Sequence, residues 1–343
     1  MQPAAGTAQR SAPMRQLTKG GSGPGQVQLT DHDPAAPTPG CVRLRVLATG
    51  VCGTDLHIEG GDYAVDAPVT MGHEVVGEVE ALGAGASPDW LGKRVATETF
   101  FSTCGECAAC RAGRPNLCPD RRSIGTHVAG GFAPTLIVPQ RNLHELPGQI
   151  SAAAATLLEP LACVCHALLD PPVISASDRV LVTGPGPMGL LAAQVARAQG
   201  GQVLVCGLAS DEQRLQVARV LHLQTQAGAP PDELYDVTLE AAGSAAAVAT
   251  CLAHCRPGGR HVQLGIFGRE VTVDLDAVLF RELTITSGFA SVPLSWQRAV
   301  SLVASGDVLL DPLISEIVPL AKWRHAFDAI RSGAGLKFVL KPG

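Results

Sequence analysis

The residue types best able to do chemistry are gathered in three short stretches: Gly50-Val51-Cys52-Gly53-Thr54-Asp55-Leu56-His57, Gly72-His73-Glu74, and Leu158-Glu159-Pro160-Leu161-Ala162. A thiolate, an imidazole and a carboxylate are ligands that Zn²⁺ accepts, and three protein ligands leave a fourth position open for water or a substrate oxygen. That is the outline of a catalytic metal site. A cysteine and a histidine far apart in sequence are more often core residues, so the neighbouring signals decide.

The strongest local signal is Cys104-x-x-Cys107-x-x-Cys110-x7-Cys118. Four thiolates with two-residue gaps can close tetrahedrally on one ion and leave no position for chemistry, which predicts a structural zinc. The surrounding loop is rich in Gly and charge and offers little apolar surface to bury four unrelated cysteines. An iron-sulfur cluster also accepts four thiolates, although its usual spacings differ.

The third signal is Thr183-Gly184-Pro185-Gly186-Pro187-Met188-Gly189. It follows a short strand pattern, Asp178 to Val182, and opens a helical one. In that context Gly184 makes the turn, Gly186 lets a pyrophosphate approach the backbone, Gly189 permits close helix packing, and Pro187 and Met188 start the helix whose N-terminus receives the phosphates. The next strand, Gln202 to Cys206, ends in Gly207, where an acidic residue would hold a ribose 2′-hydroxyl. Asp211 and Glu212 follow and could reach back, while Arg214 could meet a 2′-phosphate. NAD and NADP both stay open.

These residues need supports. Val42-Arg43-Leu44-Arg45-Val46-Leu47-Ala48 alternates as a half-buried strand and delivers the chain to Cys52. Val75 to Glu80 is a second strand, directly after His73-Glu74. Residues 40–150 are rich in strands and Gly/Pro turns. From Ser151 a helical pattern runs through Glu159-Pro160 to Leu168, and Cys163, Cys165 and His166 read there as core. Strands at Tyr235–Glu240 and Arg260–Gly265 alternate with helices, Ser244 to Cys255 being the clearest, as in a doubly wound parallel sheet. The tail carries helical runs at Trp296–Ser305 and Trp323–Arg331, then a strand, Lys337–Leu340, that returns to the first domain. The expectation is an α/β chain of two domains, a mostly β one and a Rossmann one.

Composition narrows the function. With 343 residues, two domains are expected, and residues 1–13 read as a disordered extension. A net charge of -5 with scattered signs gives no basic stripe for nucleic acid and no cationic amphipathic segment for a membrane. The chain reads as lacking an apolar run of ~18 residues and a signal core, which predicts a cytoplasmic protein. Eleven cysteines then argue for metal ligands or buried thiols over disulfides.

Taken together and in this order, the motifs resemble the zinc-dependent medium-chain dehydrogenase/reductase family of alcohol, sorbitol and threonine dehydrogenases. The resemblance implies a GroES-like catalytic domain at 14–150 and 291–343, a Rossmann domain at 151–290, and a cleft between them. It implies a catalytic zinc on Cys52, His73 and either Glu74 or Glu159, a structural zinc on the four-cysteine lobe, and Asp55 orienting His73. Thr54 would accept the substrate proton, His57 would pass it to solvent, and hydride would leave a carbinol carbon for the nicotinamide of NAD or NADP. Association as a homodimer or homotetramer follows by analogy. Glu159 in its Glu-Pro-Leu-Ala setting is similar to the sorbitol branch, whereas threonine dehydrogenases usually carry Asp there and a His where Phe100 stands. Against sorbitol itself, Gly288-Phe289-Ala290-Ser291 lacks the Arg of animal-type sorbitol dehydrogenases, and Pro134 replaces a common Glu. The expected substrate is therefore a polyol, cyclitol or related diol, with L-threonine 3-dehydrogenase or an aminocyclitol dehydrogenase as alternatives, in a cleft around Phe100, Phe132 and Phe289. A non-catalytic zinc- and dinucleotide-binding sensor is the reading from another class, and the retained Cys52, Thr54, His73, Glu74 and Glu159 weigh against it.

Overall fold

A computed structural model describes residues 14–148 and 150–342; the extension expected at 1–13 lies outside the described residues. The chain begins with two antiparallel strands absent from the sequence reading, β1 (Arg15–Lys19) and β2 (Val27–Asp31). Then comes β3 (Cys41–Gly50), whose alternation has a visible cause. Val42, Leu44 and Val46 are buried, while Arg43 and Arg45 reach across to Glu80 and Glu78 on the neighbouring strand.

Helix α1 (Gly53–Gly60) follows Cys52, and then β4 (Val69–Thr70), which pairs with β1. β5 (Glu74–Leu82), β6 (Arg94–Thr97), β7 (Phe100–Ser102), α2 (Ala108–Arg111), β8 (Arg122–Ser123), β9 (Thr135–Pro139) and β10 (Leu143–Glu145) complete this part. β3 lies at its centre, paired antiparallel with both β5 and β9.

Helices α3 (Ala152–Ala155) and α4 (Leu158–Leu169) lead into the second half. Contrary to the sequence reading, Ala152–Leu169 is long and apolar enough to cross a membrane, with mean hydropathy 1.7 over 18 residues. Its apolar surface is spent inside the protein, since 89% of it is buried, and it joins the largest core cluster.

Six parallel strands follow: β11 (Arg179–Thr183), β12 (Gln202–Gly207), β13 (Gln224–Ala227), β14 (Tyr235–Glu240), β15 (Cys255–Gln263) and β16 (Thr284–Ser287). The helices between them are α5 (Pro187–Ala198), α6 (Glu212–Val220), α7 (Ala245–His254) and α8 (Leu275–Phe280). The sheet order is β13-β12-β11-β14-β15-β16. Strand order reverses between β11 and β14, and a doubly wound sheet binds its ligand at that point. Strands covered on both faces read as continuous apolar runs, as in Val180-Leu181-Val182.

The chain returns through α9 (Pro293–Ala304), β17 (Ile314–Pro319), α10 (Trp323–Arg331) and β18 (Lys337–Lys341). β18 pairs parallel with β17 and antiparallel with the end of β3, bringing Val339 opposite Gly50. Lys337 thereby arrives beside the stretch that carries Cys52.

Candidate active site

Cys52 sits where β3 has ended and α1 begins, so its side chain is carried by a sheet on one side and a helix N-terminus on the other. Asp55 locks this corner, because its Oδ2 accepts the backbone N–H of Cys52 at 2.9 Å. The other oxygen, Oδ1, is buried without a hydrogen-bond partner among the described residues and lies 3.9 Å from His73 Nδ1. Asp55 is thus placed to orient the imidazole. One ligand atom each from Cys52, His73 and Glu74 lie within 4.8 Å of one another.

Glu74 is positioned by two features that the sequence reading missed. An added Cβ on Gly50 would overlap Glu74 Oε2, so only glycine leaves room for the carboxylate. Lys337 Nζ, itself buried, donates to both Glu74 oxygens at 2.7 Å and to the Val51 carbonyl at 3.1 Å. A single lysine inside Leu336-Lys337-Phe338-Val339-Leu340 was the available signal, since a buried charge needs a partner.

Glu159 stands in the first turn of α4, where Thr99 Oγ1 donates to its Oε1 at 2.8 Å. Thr99 was not anticipated either. Cys163, one turn on and expected in the core, is half-buried with its Sγ 3.7 Å from Glu159 Oε1; Cys165 and His166 are buried. A helix that presents Glu159 to the cleft presents the residue at i+4 on the same face, which is why Cys163 leaves the core. Thr54 Oγ1 lies 3.7 Å from Cys52 Sγ. His57 is half-exposed one turn along α1, 4.0 Å from Asp62, and its Cε1 lies 3.7 Å from where a Cβ on Gly268 would be. Its ring therefore looks across the cleft at the loop after β15.

Burial raises the Glu159 carboxyl and pushes Asp55 up to about 6. Burial opposes a charged His73, yet the hydrogen bond and charge of Cys52, with Asp55 and Glu159, hold it well above its ordinary value. So many anionic groups around one point are what a divalent cation relieves, and a thiolate, an imidazole and a carboxylate suit Zn²⁺.

The four-cysteine lobe is equally compact. Its sulfurs all lie within 4.8 Å of one another, with Cys118 3.5 Å and Cys110 4.0 Å from Cys104. These separations are far beyond a disulfide bond. Backbone N–H groups of Cys104, Cys107 and Cys110 point at Cys118, Cys104 and Cys107. The N–H groups of Cys107 and Glu106 bring the Cys104 thiol down to about 7, favouring the thiolate a metal needs.

In the second domain Gly184 adopts φ +94°, a left-handed conformation, and Gly189 packs so closely that a Cβ would overlap the Gly184 carbonyl. Gly186 caps α5 and Pro187 opens it, leaving the first N–H groups of that helix for a pyrophosphate; Met188 packs against the core from a half-buried position. At Gly207 a Cβ would meet the Pro185 ring at 2.7 Å, so the usual place for an acidic side chain is filled by the glycine loop itself. Asp211 accepts the Leu208 N–H at 2.9 Å, and Glu212 is turned away onto Arg219. Arg214 lies 3.6 Å from Asp211 and donates to the Gly335 carbonyl at 3.0 Å. Glu240, at the end of β14, accepts the N–H groups of Ala242 and Gly243 and the Gln263 amide, which stiffens the turn under Gly184.

The expected aromatic cleft is only partly present. Phe132 is fully buried with Phe327 in a core cluster, because Gly72 leaves its ring room, and Phe100 is also buried. Phe289 is half-exposed, with the Arg121 guanidinium 4.9 Å from its ring centroid.

A doubly wound sheet with a pyrophosphate loop, set beside a thiolate–imidazole–carboxylate cluster, defines a metal-assisted dinucleotide oxidoreductase. Known proteins agree. Residues 38–148 match the alcohol dehydrogenase GroES-like domain and residues 187–305 the zinc-binding dehydrogenase domain. A sorbitol dehydrogenase of Halalkalibacterium halodurans is 34% identical, covering 96% of this chain and 99% of that protein. D-arabitol-phosphate dehydrogenase of Enterococcus avium is 32% identical, over 96% and 98%, and an L-threonine 3-dehydrogenase of Saccharopolyspora erythraea is 31% identical, over 95% and 98%. Among solved structures, a zinc-binding dehydrogenase from Sinorhizobium meliloti bound to NADP superposes with TM-score 0.87 at 30% identity, over 97% of this chain and 100% of that one. The chain belongs to the zinc-dependent medium-chain dehydrogenase/reductase family: it is an NAD(P)-dependent alcohol dehydrogenase whose cofactors are Zn²⁺ and NAD or NADP.

Proposed function

We propose that the enzyme oxidises a secondary alcohol of a polyol, sugar alcohol or cyclitol, with Cys52, His73 and Glu74 holding the catalytic zinc and Glu159 standing opposite them. The observation that carries this reading is the use made of Lys337. It is spent on Glu74, so the groups gathered around His73 are a thiol, hydroxyls and carboxylates, which are partners for substrate hydroxyls and poor ones for the carboxylate of an amino acid. The sorbitol and arabitol-phosphate dehydrogenases among its relatives support the same substrate class.

Zinc, when bound, supplies Lewis-acid polarisation of a substrate hydroxyl. Thr54 accepts the proton from that hydroxyl, and His57, half in solvent, carries it out. Glu159, fixed by Thr99, accepts a hydrogen bond from a neighbouring substrate hydroxyl and so orients the carbinol carbon. Gly184, Gly186 and Gly189, with Pro187 and Met188, seat the pyrophosphate at the start of α5. Gly207 offers no carboxylate to repel a 2′-phosphate, and Arg214 lies nearby, so both NAD⁺ and NADP⁺ fit this reading. Cys104, Cys107, Cys110 and Cys118 hold the structural zinc. The outer strand β16, with Ile285 exposed on it and Leu279 and Phe280 exposed beside it, is the surface for a second copy. A reducing cytoplasm suits eleven free cysteines.

The test is NAD⁺ and NADP⁺ reduction against polyols, cyclitols, simple alcohols and L-threonine, with zinc measured on the same sample. Turnover on a polyol or cyclitol with two zincs per chain is expected, and preference for L-threonine would overturn the substrate class. Cys52→Ser should abolish turnover while the circular dichroism spectrum stays unchanged; near-normal turnover in that variant would refute the metal site.

A further inference from the structure

Two stretches of chain pass between the domains: α4, leading into the parallel sheet, and residues 288–292, leading out of it from β16 to α9. They touch each other closely. A Cβ on Gly288 would lie 2.5 Å from Ala167 Cβ, so the outgoing segment lies flat on α4. Ala290, a non-glycine residue, is held at φ +54°. Such a conformation persists only where the surroundings impose it. The segment also continues from the carboxyl end of β16, the same sheet edge as the glycine loop, where a doubly wound sheet binds its ligand.

The four-cysteine lobe contacts this segment directly. Asn116, between Cys110 and Cys118 and fully buried, donates from Nδ2 to the Phe289 carbonyl at 2.8 Å and lies 3.3 Å from His166 Nε2 on α4. Arg121, just past Cys118, covers the Phe289 ring. His166 Nδ1 faces Asp170 at 3.6 Å, and Arg298 of α9 donates to Asp170 and to the Leu169 carbonyl. Asn116 Oδ1, His166 Nδ1 and Asp170 Oδ2 have no hydrogen-bond partner among the described residues. His166 Nδ1 and Asp170 Oδ2 face each other, so it is Asn116 Oδ1 that keeps spare capacity at this junction.

We propose that Asn116 is a positioning residue that bolts the four-cysteine lobe to both interdomain crossings and holds Gly288–Ala290 in the shape that receives the dinucleotide. The lobe's metal then serves cofactor binding as well as stability. This rests on the assignment of the cleft as the hydride-transfer site. It is tested by fluorescence titration of the zinc-loaded protein with NADH and with NADPH, in wild type, Asn116→Ala, Asn116→Asp and Arg121→Ala, together with zinc content and melting temperature. Loss of the Asn116 hydrogen bond should raise the dissociation constant of the bound dinucleotide about tenfold at unchanged zinc content, and Arg121→Ala should raise it about threefold. Asn116→Asp keeps the shape but sets an acceptor against the Phe289 carbonyl, and should weaken binding at least as much as Asn116→Ala. Lower melting temperatures with unchanged dinucleotide affinity would make Asn116 merely structural and overturn the proposal. If neither Asn116 variant folds, unchanged affinity in Arg121→Ala overturns it. Wild-type protein that binds neither NADH nor NADPH would remove the cofactor site itself, and this inference with it.

Discussion

Lys337→Met removes one partner of an ion pair whose side chains are 4% and 1% exposed, leaving the Glu74 carboxylate buried without its counter-charge. Breaking such a pair from one side costs about 3–5 kcal/mol, most of it the penalty of the stranded charge. For a domain of this size class that lowers the melting temperature by roughly 10 °C. The same logic predicts that Glu74→Gln in the Lys337→Met background restores part of the loss, because the stranded charge disappears. The assay is a double-mutant cycle on urea midpoints of wild type, Lys337→Met, Glu74→Gln and the double variant. Any stability lost because Glu74→Gln weakens zinc binding enters both arms of the cycle, so the coupling isolates the pair. It should be at least about 2 kcal/mol. Additivity within about 0.5 kcal/mol would refute the reasoning, since it would mean that Lys337 and Glu74 do not depend on one another.

Three further outcomes follow from the geometry. Gly189→Ala puts a methyl group into the Gly184 carbonyl and should abolish NADH and NADPH binding in fluorescence titration while zinc content stays at two per chain. Cys107→Ser opens the four-cysteine lobe, so elemental analysis should find one zinc fewer, a lower melting temperature and weaker dinucleotide binding, with turnover retained at low temperature only when the dinucleotide is saturating. His261 is buried against Thr238, and burial lowers its pKa below 6.5. A histidine depressed in the folded state contributes stability above its unfolded pKa and loses it as pH falls through the folded one. Melting temperature should therefore fall more between pH about 7 and about 5 in wild type than in His261→Gln, and equal slopes would remove His261 as a cause.

What the sequence made legible was contiguous. The glycine loop, the four cysteines and Cys52 with Asp55 are short motifs whose geometry is set by the turn or helix end that carries them, and α10 falls on the periodic run Trp323–Arg331. Hidden features depend on partners far away along the chain. Nothing near Glu74 announces Lys337, 263 positions on, and nothing near Glu159 announces Thr99, 60 positions back. Phe132 reads as a cleft residue, whereas the space left by Gly72 takes it into the core. Ala152–Leu169 reads as an apolar helical pattern but not as a run of 18 residues, because Glu159, Pro160 and His166 interrupt it, although all three are buried.

The choice between Glu74 and Glu159 shows why such questions need three dimensions. Both are buried carboxylates beside His73, and each is legible as a zinc ligand in isolation. They differ in what holds them. Glu74 shares its oxygens with a buried ammonium yet keeps lone pairs within 4.8 Å of Cys52 and His73, whereas Glu159 is turned by a hydroxyl on the far wall and shares its helix face with Cys163. An ammonium donating to both oxygens of a buried carboxylate compensates the burial of its charge. A hydroxyl does so only weakly, and burial of Glu159 favours its neutral form. The proposed roles, Glu74 as permanent ligand and Glu159 as the group that hydrogen-bonds substrate, predict that Glu74→Gln costs zinc and Glu159→Gln costs turnover first. Zinc lost in Glu159→Gln and kept in Glu74→Gln would reverse the assignment, and equal zinc content in the two variants would refute it.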